Sequence, residues 1–320
     1  MGIEAHIWLC HRGRAQVLFC NGLHSKKQIP IFSTFNKRRH QMKKRIGIVI
    51  ISLLTLSSVW AADVDQMAEL LMKAHTEKQS VPYVSQHDPN LDLAGAYQIQ
   101  NKYIMRLAQN DRVVGFKAGF TSKKAQEAWG VSEPVAGVLF ASGKVQSSPS
   151  PVIDLSNFKR LLIETEFGFE METAITHPVA QAAELKGKVR VVRPMIELPD
   201  AGFEDMKKAT GLDLVAANVV ASHFIVGPSK DPGALDLNQL TVTLTRDDKQ
   251  INRWEGVKAD DEQWENLRWL VNKTIENGYT IEPGNIFITG ARGKLLPGLP
   301  GKYVADFGEL GTISFEVRSP

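Results

Sequence analysis

The chain has 320 residues with a formal net charge of +3, but residues 1–61 hold ten Lys/Arg and one acid, leaving 28 Lys/Arg against 34 Asp/Glu, net −6, in the remainder. That remainder has no basic excess, which excludes a broad cationic surface for nucleic acid. Both cysteines, Cys10 and Cys20, lie in the first 61 residues, so the rest has no disulfide, no thiol catalysis and no Cys-ligated zinc.

From Met42 the chain reads "MKKRIGIVIISLLTLSSVWAAD". Lys43, Lys44 and Arg45 form a basic n-region, Ile46–Leu56 an apolar h-region, and Val59-Trp60-Ala61 a cleavage site before Ala62. The apolar run is short for a membrane span. The expectation is a signal peptide over 42–61 and a periplasmic or secreted protein with no membrane span after cleavage. Residues 1–41 then read as a mis-assigned N-terminal extension, with Met42 the initiator. The 259 residues that follow suffice to bury a core without disulfides.

Residues 64–79 and 91–110 read as helices, the second with Asp92 as its cap and Leu93, Ala96, Tyr97, Ile99, Tyr103, Ile104 and Leu107 at helical spacing. "VVGFKAGFTS" (113–122) reads as a strand, 123–130 as a short helix, and "AGVLFASGKV" (136–145) as a strand. Pro149 and Pro151 mark a joint. Beyond it come strands in "IETEFGFEME" (163–172), "KVRVVRPMIEL" (188–198) and "LVAANVVASHFIVG" (214–227). "LTVTLTRDDKQINRWEG" (240–256) reads as a hairpin turned at Asp247-Asp248. A helix over 260–277 ends at Gly278, and "GNIFITGARG" and "GTISFEV" close the chain with strands. The pattern predicts one α+β unit, with a helical, αβ N-terminal part over 62–150 and a strand-rich part over 151–320.

Nucleophile elbows, phosphate loops, dinucleotide fingerprints and zinc-protease helices are all missing. Only His75, His87, His177 and His223 follow residue 61, and they are scattered. Chemistry must therefore rest on carboxylates, Lys, Asn, Thr and backbone, and an oxygen-only ligand set selects Mg²⁺, Mn²⁺ or Ca²⁺.

One strand stands out for its charge. Alternation puts Ile163, Thr165, Phe167, Phe169 and Met171 on one face, and Glu164, Glu166, Glu170 and Glu172 on the other. Carboxylates two apart sit roughly 6–7 Å apart along a strand, close enough to converge on one cation. Spacing alone leaves two readings open, a water-facing strand or a metal site with Glu197 as a third acid. Lys117, in an apolar strand flanked by glycines, reads either as a partly desolvated acid/base with a lowered pKa or as an edge-strand lysine. Thr289 and Gly290 close a strand where ligands often meet backbone. Asn218 is a lone amide in an apolar segment, a residue more often satisfied by backbone than catalytic.

Taken in order, "AYQIQ", "VVGFKAGFTS", "GVLFA", "IETEF", "MIEL", "AANVVAS", "GNIFITGARG" and "ELGTISFEV" resemble the 2-keto-4-pentenoate hydratase branch of the fumarylacetoacetate hydrolase superfamily, over residues 64–317. The resemblance implies a fumarylacetoacetase C-terminal-like mixed β-roll with an N-terminal helical lead-in. It further implies a Mg²⁺- or Mn²⁺-dependent lyase of aromatic catabolism, working through an enolate of a small 2-keto acid, and a homo-oligomer. Position by position it implies Glu164, Glu166 and Glu197 as metal ligands, Lys117 as the acid/base, and Asn218 as a polar residue of the substrate pocket; Thr289, Gly290 and Leu139 are expected as further substrate contacts. Glu170 and Glu172 match no family role and read as solvated surface.

Two stretches depart from the family pattern. Val135 stands where these hydratases carry an Asp, and in Ala217-Asn218-Val219-Val220 the acid and the hydroxyl of the family's Asp-Asn-Ala-Ser-like run have become apolar. Fewer groups are left to hold an attacking water. This, with the signal peptide, opens an alternative: an exported, non-catalytic binding protein for small 2-keto acids. Carbon–carbon hydrolysis is disfavoured, because no histidine lies between Gly115 and Asp154.

Overall fold

The computed structural model describes residues 64–147, 150–256 and 262–319, which fall within one unit, Ser57–Pro320. The expected extension 1–41, the signal peptide through residue 61, and Pro149 of the expected joint lie outside the described residues.

Helix α1 covers residues 64–76 and buries Met67, Ala68 and Leu71, the i, i+1, i+4 stripe of an amphipathic helix. Helix α2 is Leu93–Leu107, and the Asp92 carboxylate accepts from the Gly95 N–H at 2.7 Å, a cap that stabilises by about 1 kcal/mol. Strand β1 (Val113–Gly119), helix α3 (Lys123–Trp129) and strand β2 (Val135–Phe140) follow as expected. The expected single strand over 136–145 is broken by a 3₁₀ turn at Ala141–Gly143, beyond which β3 (Lys144–Gln146) joins another part of the sheet. Strands β4 (Val152–Asp154), β5 (Leu162–Met171) and β6 (Val189–Leu198) come next.

The segment 214–227 corrects a second expectation. Its first half is helical, α4 (Gly211–Ala216) followed by a 3₁₀ turn, and only His223–Val226 forms a strand, β7. Apolar runs of this length do not distinguish buried helix from buried strand. The deciding signal lies just upstream: Thr210 and Asp213 form a reciprocal capping box.

Strands β8 (Thr241–Arg246) and β9 (Lys249–Glu255) make the expected hairpin. Asp247 and Asp248 both have left-handed φ, 49° and 61°, as a tight turn matching strand twist requires. Helix α5 (Glu262–Glu276), β10 (Ile286–Ile288), β11 (Leu296–Pro297), β12 (Gly301–Asp306) and β13 (Thr312–Arg318) complete the chain.

Two sheets result. The larger has the order β2-β1-β10-β5-β6-β7-β3, with β11 also on β5, and the smaller is β4-β13-β12-β8-β9. Parts on either side of residue 150 therefore share one sheet, since β1 pairs in parallel with β10 and β3 with β7. The inward face of β5 carries Ile163, Phe167 and Phe169, all buried. Phe167 meets Phe307 beside the smaller sheet and Phe169 meets Trp264 of α5, with ring centroids 6.1 and 5.2 Å apart, edge-on arrangements favoured by ring quadrupoles. Core packing thus fixes the β5 register, and everything on its opposite face is placed by default.

Candidate metal centre

On that opposite face, antiparallel register sets Glu164 of β5 directly across from Glu197 of β6, and Glu166 across from Met195. Directly opposed residues project to the same side. The carboxylate oxygens of Glu164, Glu166 and Glu197 converge, lying within 4.8 Å of one another. Glu166 and Glu197 are fully buried, and Glu164 alone of the three is partly open to solvent. Of the two readings of the strand, the water-facing one fails for its first half.

Lys117 reaches the same point from β1. It pairs with Ile288 of β10 on one side and Gly137 of β2 on the other. A Cβ at Gly137 would lie 2.8 Å from the Asn218 carbonyl and 3.1 Å from Lys117 Cγ, so only glycine leaves the lysine room. The ammonium is 3% exposed, ion-paired with Glu197 Oε1, and donates to the Val219 carbonyl at 3.3 Å. That carbonyl is offered by an unusual turn: Asn218, Val219 and Val220 have φ of 59°, 51° and 50° in succession. Left-handed valines are outliers costing roughly 1–3 kcal/mol each.

The electrostatics follow from three acids and one lysine crowded together largely out of water. Burial pushes the Glu164 carboxyl up to about 7, with Glu197 adding to the rise and Lys117 opposing it. Burial first, then Glu197 and Glu164, push Glu166 well above the usual carboxylate range. For Lys117 burial is the largest influence and pulls the ammonium down, yet Glu197, Glu164 and Glu166 together hold it above the ordinary lysine value. The expectation of a lowered lysine pKa is thereby corrected: desolvation is outweighed by neighbouring anions.

Two carboxylate oxygens, Glu166 Oε1 and Glu197 Oε2, are buried with no hydrogen-bond partner. Such acceptors are costly unless something positive meets them. A hard divalent cation fits this need, and an all-oxygen donor set suits Mg²⁺ or Mn²⁺ rather than zinc.

The other expected site residues divide. The Thr289 hydroxyl is buried and unpartnered beside the cluster's strand. The Gly290 N–H donates to Glu166 Oε2 at 2.7 Å. Leu139 is buried on the Lys117 face, in an apolar floor with Met195, Phe224 and Ile288. Asn218 is committed elsewhere: its side-chain oxygen accepts from the Val138 N–H at 2.7 Å and its amide donates to the Val138 carbonyl at 2.9 Å. Its amide splints β2, as the backbone-satisfied reading held.

Glu170 requires a correction. It is 8% exposed rather than solvated, bonded to Arg193 Nε at 3.0 Å and ion-paired with Arg190. It lines a separate cavity of about 560 Å³ with Lys144, Arg193 and Pro228. Glu172 is exposed as expected. Sequence reading missed Arg292, buried behind the Thr289–Gly290 turn, although it lies in the quoted "GNIFITGARG".

No family model matches the chain. Among curated proteins, 2-keto-4-pentenoate hydratase of Paraburkholderia phymatum is 29% identical over 257 residues, covering 78% of this chain and 95% of that protein. The 4-oxalocrotonate decarboxylase of a Pseudomonas species is 27% identical over 237 residues, 73% of this chain and 89% of that one. In structure, 4-oxalocrotonate decarboxylase from Pseudomonas putida G7, solved with magnesium and adipate, superposes with a TM-score of 0.74 at 24% identity, over 81% of this chain and 98% of that one.

Proposed function

We propose that the chain is a member of the 2-keto-4-pentenoate hydratase branch of the fumarylacetoacetate hydrolase superfamily, in line with its curated relatives, and that it is a divalent-metal-dependent lyase acting on a small 2-keto or 2-hydroxydienoic acid. The observation that carries this reading is the convergence of Glu164, Glu166 and Glu197 within 4.8 Å, two of their buried oxygens unpartnered, beside a buried lysine. These three residues would hold Mg²⁺ or Mn²⁺. Such a cation supplies Lewis-acid stabilisation of charge developing on the oxygens of a 2-keto acid.

The chain's own groups do the rest. Lys117, held protonated by its carboxylate neighbours, delivers a proton to the substrate's carbon chain and recovers it from the substrate side once it is neutral. The free Thr289 hydroxyl donates to the substrate carboxylate, which an unpartnered donor in a buried site favours. Leu139, Met195, Phe224 and Ile288 keep water from the site floor, strengthening each charge interaction there. Val135 is fully buried and offers no polar group for an attacking water, so both hydration and decarboxylation chemistry belong in the test.

Purified protein is incubated with Mg²⁺ or Mn²⁺ and either 2-hydroxypenta-2,4-dienoate or 4-oxalocrotonate, following dienol absorbance. Metal-dependent loss is the expected result. Oxalate or pyruvate binding with metal but no turnover of either compound replaces the enzyme reading by the binding-protein one, for which the enzyme names of the curated relatives give no support. The leader pattern makes the protein periplasmic or secreted in this proposal, checked by N-terminal sequencing from the periplasmic fraction and the medium, expected to begin at Ala62. Homo-oligomer assembly belongs to the same proposal, and light scattering in solution tests it.

A further inference from the structure

We infer that Arg292 is a positioning residue for the metal centre, acting on Glu166 through the peptide that joins Thr289 to Gly290. The inference rests on the metal-site reading above and goes beyond its ligand set.

Arg292 is 3% exposed, and among the described residues its guanidinium forms no ion pair with a carboxylate. Its donors are spent on backbone: Nη2 to the Thr289 carbonyl at 3.1 Å, and Nη2 and Nε to the Gly290 carbonyl at 2.8 and 3.0 Å. The guanidinium lies over Trp254 and Phe167, 5.5 and 5.7 Å from their ring centroids, which helps offset burying a cation. Its own backbone is tied to Thr165 of β5, N–H to carbonyl at 2.6 Å, and its carbonyl accepts from Asn252 Nδ2 at 2.9 Å.

The consequence follows from peptide planarity. The Thr289 carbonyl and the Gly290 N–H belong to one trans peptide and point in opposite directions. With the carbonyl fixed on Arg292, the N–H is aimed at Glu166 Oε2, which it meets at 2.7 Å. Gly290 sits at φ 96°, where a Cβ would fall 2.7 Å from Thr121, so the turn is held in a shape few residues allow. The guanidinium also polarises this peptide and strengthens its N–H as a donor. Glu166 is thereby held by one oxygen, leaving Oε1 buried and without a partner. Partners outside the ligand set that orient a ligand in this way affect metal affinity strongly.

The test is calorimetric titration of Mg²⁺ into wild type, R292M, R292K and N252A, with thermal midpoints alongside. Met fills the slot between the rings but donates nothing, and affinity is expected to fall about 10–100-fold. Lys can reach one carbonyl, and about a 3–10-fold loss is expected. Asn252→Ala loosens the same loop without touching the 289–290 peptide, and should lower the midpoint while Mg²⁺ affinity stays within about threefold. Folded R292M with wild-type affinity overturns the inference alone, as does N252A losing as much affinity as R292M. If R292M does not fold, wild-type affinity in R292K overturns it. A wild type that binds no Mg²⁺ defeats the metal-site reading and this inference together.

Discussion

Replacing Lys117 by Met separates the two jobs the lysine has in this structure. The substitution keeps the side chain's length and its apolar stem beside Gly137, but removes the one ammonium that pairs with Glu197 among the described residues. A buried pair broken at one partner typically costs about 3–5 kcal/mol, because the remaining charge is left uncompensated. For a chain of this size that is roughly 6–20 °C in Tm at roughly 2–4 °C per kcal/mol. The three carboxylates can regain a counter-charge from a divalent ion, so saturating Mg²⁺ should restore most of the lost Tm. It should not restore turnover, which is expected to fall about 10²–10⁴-fold for loss of a proton-transfer group. The assays are thermal melts with and without Mg²⁺, and dienol absorbance at saturating metal. A K117M protein whose metal-free Tm is unchanged would refute the buried-pair account, and one whose kcat stays within about tenfold of wild type would refute the acid/base role.

Glu166→Gln removes a like charge from a crowded site, so Mg²⁺ binding should vanish while the metal-free Tm holds or rises; a lower Tm with retained binding contradicts the site. Because burial pushes the Glu164 carboxyl up to about 7, protons compete with metal below that pH. Mg²⁺ affinity should therefore climb as pH rises towards 7 and level off above it, with proton release measurable by calorimetry in buffers of different ionisation heat. The sign for stability is opposite: a carboxyl raised in the folded state stabilises the metal-free fold at pH below the unfolded value, and that contribution fades as pH rises through about 7. Asn218→Ala strips both polar groups of Val138 of their partner; a loss of about 1–3 kcal/mol in chemical denaturation is expected, with KM unchanged.

Much of this was readable beforehand because period-2 alternation in β5 separates Ile163, Phe167 and Phe169 from Glu164 and Glu166 without reference to any neighbour. The hairpin at Asp247-Asp248 and the Asp92 cap are equally local. What alternation cannot supply is the neighbour across the sheet. Whether Glu170 meets water or arginine depends on Arg193 in β6 and Arg190 beside it, and whether Asn218 faces substrate or Val138 depends on a left-handed turn that no propensity of valine anticipates. The lysine's pKa direction failed for the same reason, since its sign is set by three acids from two other strands. Arg292 escaped because a cation four residues past a strand ordinarily marks a surface turn.

The parallel pairing of β1 with β10 joins Gly115–Lys117 to Ile286–Ile288, residues some 170 positions apart in the chain. Such distant pairings carry a large closure entropy and slow a chain's folding. A nascent chain would thus have its acids seated on the β5–β6 pair well before the lysine could be locked beside them. Ribosome-bound or C-terminally clipped molecules would leave Lys117 unseated however well their early strands had formed, so the complete cluster arrives only once β10 has been made.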